Sequence, residues 1–412
     1  MSILENLVQP NWVGNLIRQG HSHESISSYL QDLYPNTRGI SSRSVRRYCR
    51  NHGITRLTDE ELDEIVGNFI VNYGHGYGRS LMQGSIRAMY GVSEGVVSQR
   101  RVSNSLRRMA PDAFDARTRD VLIRTNPVPY YAPFFGYKAH MDQNEKIAQT
   151  FGCTHVALID GCSRMICGYA AMEVKNPILI YEFVYRKAVS KYGLWNQLRV
   201  DHGREFCLCL FVQDLLKGYR TSQEKDPWKQ TKSTENNVIE RFWPEMNSRV
   251  NYPIKRAMIR ICEEKDLDTS EPVLKYCFSW ISIYVATAAA EHLIKSWNFH
   301  RVPGPNGCVP FQNMVDTKQT VVLDEILIPT TPEAVRMYEE NGGTLTRHAD
   351  FGYDPLGAID HAFESRHKLF QANQPTGEEL FSSVVHGDYL PLEQAFECFY
   401  ELTISLATQF EV

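Results

Sequence analysis

Several features are missing from this 412-residue sequence, and each absence argues against a class of protein. No apolar run follows a basic amino terminus, so nothing indicates a secretory signal. The longest apolar stretch, residues 276–290, is too short for a membrane span and is predicted to be a buried helix. The ten cysteines include no Cys-x-x-Cys pair. Their spacing therefore argues against a zinc module and indicates reduced thiols in the cytosol or nucleus.

Lysine is absent from the first 130 residues, although that segment contains 16 arginines. The chain as a whole carries a net charge of −4, and this charge is unevenly distributed. Residues 1–130 carry +4, residues 131–260 carry +6 and residues 261–412 carry −14. The segment charges therefore indicate nucleic-acid binding by the first two thirds of the chain, which the total conceals.

Three carboxylates stand at the ends of predicted secondary-structure elements. Asp201 ends a short apolar strand, and Asp142 begins an alternating segment that leads into the apolar strand 156–159. Glu240 lies in the first turns of a predicted helix. Oxygen ligands carried by two strands and a helix are typical of a site that holds two magnesium ions over a phosphodiester.

The sequence around these carboxylates resembles the DDE integrase and transposase superfamily, in particular the "integrase core domain" proteins of eukaryotic transposable elements. The resemblance rests on the segments 140–142 (HMD), 199–203 (RVDHG) and 237–243 (NVIERFW), with 38 residues between Asp201 and Glu240. It covers roughly residues 112–310. It implies that Asp142, Asp201 and Glu240 are the catalytic residues and the ligands of two Mg²⁺ (or Mn²⁺) ions, with Asp142 bridging both.

The order of predicted elements from residue 137 is three strands, a helix, a strand and a helix. This order predicts a mixed α/β sheet of the RNase H-like kind, and the resemblance implies the same fold. We therefore expect a multidomain protein with helix-turn-helix units at 1–57 and 58–111 and a linker at 112–133. The RNase H-like catalytic domain is predicted at 134–312, and an acidic helical region follows at 313–412.

Both amino-terminal units carry arginines on their last helix, where helix-turn-helix proteins contact DNA. The pattern of the second unit, whose last helix is predicted to be capped by Ser93, resembles the second helix-turn-helix of bacterial insertion-sequence transposases. The alternative is the solvated basic face of an ordinary helical bundle. The candidate DNA-binding residues are Arg43, Arg46, Arg47, Arg50, Arg100, Arg101, Arg107 and Arg108.

Further candidates surround the catalytic carboxylates. DNA contacts are predicted for Lys146, Lys229, Lys232 and Arg241, of which two lie in a predicted flexible loop, residues 221–235. Glu235 is a rival to Glu240, and Asp160 is expected to hold a turn, with metal binding as the alternative. Pro244 is predicted to kink the helix that carries Glu240, because it has no N–H for the carbonyl four residues earlier.

The function implied by the resemblance is that of a two-metal-ion polynucleotidyl transferase with endonuclease activity. Such a protein binds double-stranded DNA at transposon ends, cleaves it and joins it to target DNA. The expected partners are these DNAs and further copies of the chain, with no membrane, and the expected location is the nucleus of a eukaryotic host. Two alternatives remain, a transposon-derived sequence-specific DNA-binding protein without active catalysis and an RNase H-like nuclease.

Overall fold

The computed structural model describes residues 3–18, 20–54, 57–90, 97–119, 130–231, 236–302, 307–346 and 351–410. The chain divides into two compact units. The first consists of Met1–Val71, His75–Thr125 and Phe299–Arg301. The second consists of Asn72–Gly74, Asn126–Asn298 and Val302–Val412.

The amino-terminal half of the first unit is a small helical domain with its own apolar core. Its helices are α1 (Ile3–Leu7), α2 (Pro10–Arg18), α3 (His23–Leu33) and α4 (Ser42–Asn51). Ser22 and Ser41 cap α3 and α4 by accepting backbone N–H groups, which stabilises the first turn of each helix. The buried core residues are Leu4, Val13, Ile17, Ile26, Leu30, Ile40, Val45, Tyr48 and Cys49.

The other helices of this unit are α5 (Asp59–Tyr73), α6 (Arg79–Tyr90), α7 (Gln99–Met109) and α8 (Pro111–Arg119). Ser98 caps α7 by accepting the N–H of Arg101, whereas the predicted cap, Ser93, lies outside the described residues. The helix α8 lies in the first part of the predicted linker, residues 112–133, and the linker itself stays a prediction. Proline is favourable at the first helical position because its nitrogen needs no partner there, so Pro111 starts a helix rather than only ending one.

A five-stranded mixed sheet forms the centre of the second unit. Its strands are β1 (Ala139–Ile147), β2 (Cys153–Asp160), β3 (Ile166–Met172), β4 (Leu198–Val200) and β5 (Trp228–Gln230). They are arranged in the order β3-β2-β1-β4-β5. The first three strands are antiparallel, and β4 and β5 run parallel to β1. This is the predicted RNase H-like arrangement.

The strand β5 corrects the prediction of a flexible loop over residues 221–235. It pairs with β4 in the register Leu198↔Trp228 and Arg199↔Lys229. The N–H of Leu198 donates to the carbonyl of Pro227 at 2.9 Å, so β5 satisfies backbone groups that β4 would otherwise leave exposed. The sequence WKQ has no apolar alternation, which is why its pattern did not predict a strand.

Short helices pack around the sheet. They are α9 (Ala148–Phe151), α10 (Pro177–Ile180), α11 (Lys187–Tyr192), α12 (Cys207–Leu215), α13 (Asn237–Glu240), α14 (Trp243–Met246) and α15 (Tyr252–Lys265). A π-helical segment, Tyr181–Arg186, joins α10 to α11, and a second, Asn247–Asn251, joins α14 to α15. One apolar core contains residues from β1, β2, β4, α11 and α12.

The long helix α16 (Pro272–Phe299) is followed by α17 (Pro310–Thr317), α18 (Thr331–Glu340), α19 (Asp360–Asn373), α20 (Gly377–Val385) and α21 (Leu390–Gln409). By length and composition α16 could cross a membrane, but most of its apolar window is buried inside the protein. Met314 of α17 and Ala334 of α18 belong to the same core as the sheet. Residues after the predicted boundary at 312 thus share the core of the sheet, and the boundary itself stays a prediction.

Candidate active site

The register of β1 and β4 brings two of the predicted carboxylates together. Ala139 pairs with Leu198 and His140 with Arg199 in a parallel ladder. The same register, continued by two residues, sets Asp201 beside Asp142. Because alternate side chains share a face of a sheet and neighbouring strands lie about 4.8 Å apart, both carboxylates lie on one face at the end of β4.

Asn236 attaches the helix that carries the third carboxylate to this strand. Its side-chain amide donates to the carbonyl of Met141 at 3.3 Å, and its Oδ1 lies 2.5 Å from Nδ1 of His140. Glu240 is the last residue of α13, which begins directly after Asn236. Asn236 therefore sets the position of Glu240 relative to β1.

The predicted disturbance at Pro244 is present as a break in the helix. Residues 241–242 keep right-handed helical dihedrals but form a turn that interrupts the α-helical hydrogen bonding. The α-helix resumes in α14, where Pro244 occupies one of the first two positions. A proline is well suited to that position, because the N–H groups of a first turn have no partner within the helix. The break separates Glu240 from the longer helical segment that follows.

The three carboxylates line one cleft with a volume of about 470 Å³. Asp142 is almost fully buried, whereas Asp201 and Glu240 are partly exposed at the rim. Asp201 Oδ1 accepts the backbone N–H of Gly203 at 3.1 Å. The other residues lining the cleft are Gln143, Asn144, Glu145, Lys146, Trp243, Pro244 and Asn247.

Burial, together with the negative charges of Glu240 and Asp201, raises the pKa of Asp142 to about 7. Two hydrogen bonds oppose this effect. The indole N–H of Trp243 donates to Asp142 Oδ2 at 2.8 Å, and the backbone N–H of Gln143 also favours the charged form. The site thus concentrates negative charge that a bound cation would neutralise.

This pKa gives a first prediction for metal binding without DNA. Below pH 7 a proton competes with the cation for Asp142, so the affinity for Mg²⁺ or Mn²⁺ should fall about tenfold between pH 8 and pH 6. Isothermal titration calorimetry at both pH values measures the change. Proton release, measured in buffers of different ionisation enthalpy, should accompany binding near pH 6. Equal affinities at the two pH values would contradict the prediction.

The donor set fits a hard divalent cation shared with a substrate. Carboxylate oxygens are the ligands that Mg²⁺ prefers, and Mg²⁺ usually combines one or two of them with waters and phosphate oxygens. Within the described residues no three His, Cys, Asp or Glu side chains are grouped closely enough to enclose one ion. The cleft therefore suits ions that complete their coordination with water and phosphate, rather than a closed protein cage.

His140 supports the site without carrying charge. It is buried, and burial lowers its pKa to about 3, so it is neutral. Since Asn236 Oδ1 can only accept, His140 Nδ1 carries the proton, and Nε2 then accepts from the hydroxyl of Tyr130 at 2.7 Å. His140, the first residue of the segment HMD, therefore connects β1 to the segment that carries Glu240 through its hydrogen bond with Asn236.

Three asparagines in and next to the cleft were missed by the sequence interpretation. Asn144 Nδ2 donates to Asn247 Oδ1 at 2.9 Å, and Asn251 Nδ2 donates to the same oxygen at 2.9 Å. They link β1 to the π-helical segment after α14. The i,i+4 spacing of Asn247 and Asn251, close after Glu240, was the sequence feature that could have indicated a polar helix face next to the carboxylates.

Asp160 has the structural role that its turn predicted. Its side chain is fully buried. Oδ1 accepts the N–H of Cys162 and both the N–H and hydroxyl of Ser163, at 2.7–3.0 Å. Oδ2 accepts the N–H of Gly136 and the indole N–H of Trp195, both at 3.0 Å. Five donors occupy this carboxylate and fix the turn after β2.

The arginines predicted to bind DNA differ in their surroundings. Those of α4 (Arg43, Arg46, Arg47 and Arg50) are exposed, and within the described part of the chain Arg46 alone of the four forms an ion pair, a 3.9 Å contact with Glu24. On α7, Arg101 and Arg108 form 2.7 Å ion pairs with Asp59 and Asp63 of α5. Arg100 is exposed and Arg107 lies over Phe114 at 4.9 Å. Arg101 and Arg108 therefore bind α7 to α5.

Of the candidates near the carboxylates, Lys146 lines the cleft and Arg241 is exposed directly after Glu240. Lys229 is exposed on β5. Lys232 and the rival acid Glu235 lie outside the described residues.

Residues 135–322 match the family model of the integrase core domain. The match contains the whole sheet and all three carboxylates of the cleft. This segment, somewhat less than half of the chain, is therefore similar to the integrase core domain of retroviral-integrase-like proteins. Integrase core domains are in general polynucleotidyl transferases that bind DNA and use divalent metal ions. A search of curated proteins gave no match to the chain.

Proposed function

We propose that this integrase core protein is a DDE transposase or integrase, which binds transposon-end DNA, cleaves it and transfers the freed end to target DNA. The observation that carries the proposal is the cleft in which Asp142, Asp201 and Glu240 meet. Their mutual charge effect on the pKa of Asp142 supports it, because such repulsion favours cation binding.

Asp142, Asp201 and Glu240 would hold two Mg²⁺ or Mn²⁺ ions, with Asp142 shared between them. When bound, such ions activate the attacking oxygen and stabilise the leaving oxygen of a phosphodiester. The surrounding residues orient the ligands. Trp243 holds Oδ2 of Asp142, and the N–H of Gly203 holds one oxygen of Asp201.

The chain's cations would hold the DNA. Lys146 in the cleft and Arg241 at its rim are placed to meet phosphate oxygens beside the reacting bond. The exposed arginines of α4 would bind the transposon end in the major groove. Two ends must be joined together, so we propose a homo-oligomer, acting in the nucleus of a eukaryotic host.

A strand-transfer assay tests the proposal. The full chain is incubated with labelled ends of its own element, a target plasmid, and Mg²⁺ or Mn²⁺. We expect joined products that depend on the divalent ion. End binding without any product would favour a DNA-binding protein that has lost catalysis. Cleavage of branched or hybrid substrates without joining would favour an RNase H-like nuclease.

A second prediction concerns the α4 surface. Replacing Arg46 and Arg47 by alanine should weaken binding to the element end at least tenfold and lower the salt slope by about 1.8, or 0.9 for each lost phosphate contact. Fluorescence anisotropy over a salt series, without divalent ions, measures both.

The matched control for this change is the double variant Arg260→Ala and Arg336→Ala. It removes two arginines with similar exposure from α15 and α18. An equal loss of affinity in both double variants would show a general charge effect, and unchanged affinity of the α4 variant would remove this helix from the DNA.

A further inference from the structure

A row of cations crosses the face of the sheet that carries the catalytic carboxylates. Arg199 on β4 pairs with His140 on one side and with Lys229 of β5 on the other. Arg199 precedes Asp201 by two residues, so the two side chains share a face and are separated by roughly 6.6 Å along the strand. The row therefore begins next to the cleft and extends toward the edge of the sheet.

Two lysines continue this row around Tyr137. The ammonium groups of Lys138 and Lys225 lie 5.2 and 5.5 Å from the centre of the Tyr137 ring. Lys138 Nζ also donates to the carbonyl of Tyr131 at 3.0 Å. The negative face of the ring and this carbonyl partly stabilise two like charges held close together. We call Lys138, Arg199, Lys225 and Lys229 the sheet-face strip.

The strip has no acidic partner of its own. Among the residues that the structure describes, none of its four members forms an ion pair with a carboxylate, in contrast to Arg101 and Arg108 of α7. Burial, together with the positive charges of Arg199, Lys225 and Lys229, lowers the pKa of Lys138 to about 8. Four neighbouring cations without an anion are unfavourable by themselves and favourable for a polyanion.

The shape of the strip indicates which polyanion. Arg199 and Lys229 stand side by side on β4 and β5, which are about 4.8 Å apart, and Lys138 and Lys225, which precede β1 and β5, extend this pair into a file around the Tyr137 ring. Beside the file, Tyr131 is 67% exposed. A file of cations with an exposed aromatic ring is the arrangement that binds one nucleic-acid strand, since phosphates follow the charges and a base stacks on the ring.

We infer that the sheet-face strip binds the backbone of a single DNA strand that continues from the reacting phosphodiester, with a base stacked on Tyr131. This inference rests on the proposed function for the direction of the strand, since the carboxylates define where the reacting bond lies. It assigns substrate contacts to Lys138, Arg199, Lys225 and Tyr131, and it places the predicted contact Lys229 in the same track.

The test uses the full chain, with EDTA, and a fluorescein-labelled single strand of about 12 nucleotides of mixed sequence. The double variant Lys225→Ala and Lys229→Ala should bind this strand about tenfold more weakly near 0.1 M salt and lower the salt slope by about 1.4, or 0.7 for each phosphate contact. Tyr131→Ala should weaken binding about fivefold or more. Anisotropy titrations over a salt series measure all three quantities.

The controls remove the same groups elsewhere. Lys217→Ala with Lys368→Ala removes two exposed lysines, and Tyr353→Ala removes a tyrosine that is 57% exposed. Equal losses in the control and strip variants would overturn the inference. The inference would also be overturned if the strip variants lost affinity only for duplex DNA of the same length and bound the single strand as the wild type does.

Binding in EDTA is independent of catalysis, so the two proposals fail separately. Unchanged strand binding by the strip variants overturns the strip, even when the wild type transfers strands. Weaker binding of the single strand by the strip variants supports the inference about the sheet-face strip. It does so even if the wild type cleaves no DNA and the proposed enzymatic function is wrong.

Discussion

Replacement of Asp201 by asparagine is expected to lower strand transfer by about 1000-fold or more. The amide keeps the size of the side chain and can still accept the N–H of Gly203, but it lacks the charge that holds a divalent ion beside Asp142. Metal ions supply several kcal/mol of transition-state stabilisation, and about 4 kcal/mol corresponds to a 1000-fold change in rate. Product formation from pre-cleaved element ends measures the loss.

Glu145→Gln is the matched control for Asp201→Asn. Glu145 lines the same cleft and is three residues from Asp142 on β1, but its carboxylate is paired with Lys175 at 3.5 Å. We expect less than a tenfold effect from this change. Both variants should bind the element end as the wild type does, because the cations that contact DNA are unchanged. Wild-type activity in Asp201→Asn would remove this carboxylate from the mechanism.

The grouping of Asp142, Asp201 and Glu240 was predicted chiefly from the three segments that resemble the DDE superfamily. The three residues do line one cleft, and their catalytic role stays a prediction. The apolar strand before Asp201 ends at a carboxylate and a glycine, and the helix with Glu240 follows a polar segment. Parallel pairing of β1 and β4 then determines that Asp142 and Asp201 lie side by side. The position of each aspartate along its strand, together with the parallel direction of the two strands, thus accounts for their placement side by side.

The elements that escaped prediction depend on partners distant in sequence. The strand β5 exists because β4 offers unpaired backbone groups to it, and nothing in its own sequence indicates a strand. Arg101 and Arg108 form ion pairs with acids 42 and 45 residues earlier, which the sequence pattern did not indicate, and their contact with DNA stays a prediction. A basic pattern on a helix shows where cations lie, but it does not show whether they bind a DNA phosphate or a carboxylate of the protein.

Replacement of Asp160 by asparagine is expected to destabilise the catalytic unit by about 3 kcal/mol or more. An amide nitrogen would replace one oxygen of a fully buried carboxylate, and it would face donors instead of accepting them. If it replaces Oδ2, the N–H groups of Gly136 and Trp195 lose their acceptor. Each buried donor left without an acceptor costs about 1–3 kcal/mol, which supports this estimate.

The thermal unfolding midpoint of the full chain without metal, followed by near-ultraviolet circular dichroism, measures the Asp160→Asn effect. The unit has about 290 residues and hence an unfolding entropy of about 0.6 kcal/mol per kelvin, so 3 kcal/mol corresponds to a decrease of about 5 °C. Asp316→Asn changes an exposed acid of α17 and should alter the midpoint by less than about 2 °C. The same measurement separates the two roles considered for Asp160. A metal ligand would reduce metal affinity with little change in the metal-free midpoint, whereas an acceptor of five hydrogen bonds must lower that midpoint, because all five donors are present without metal.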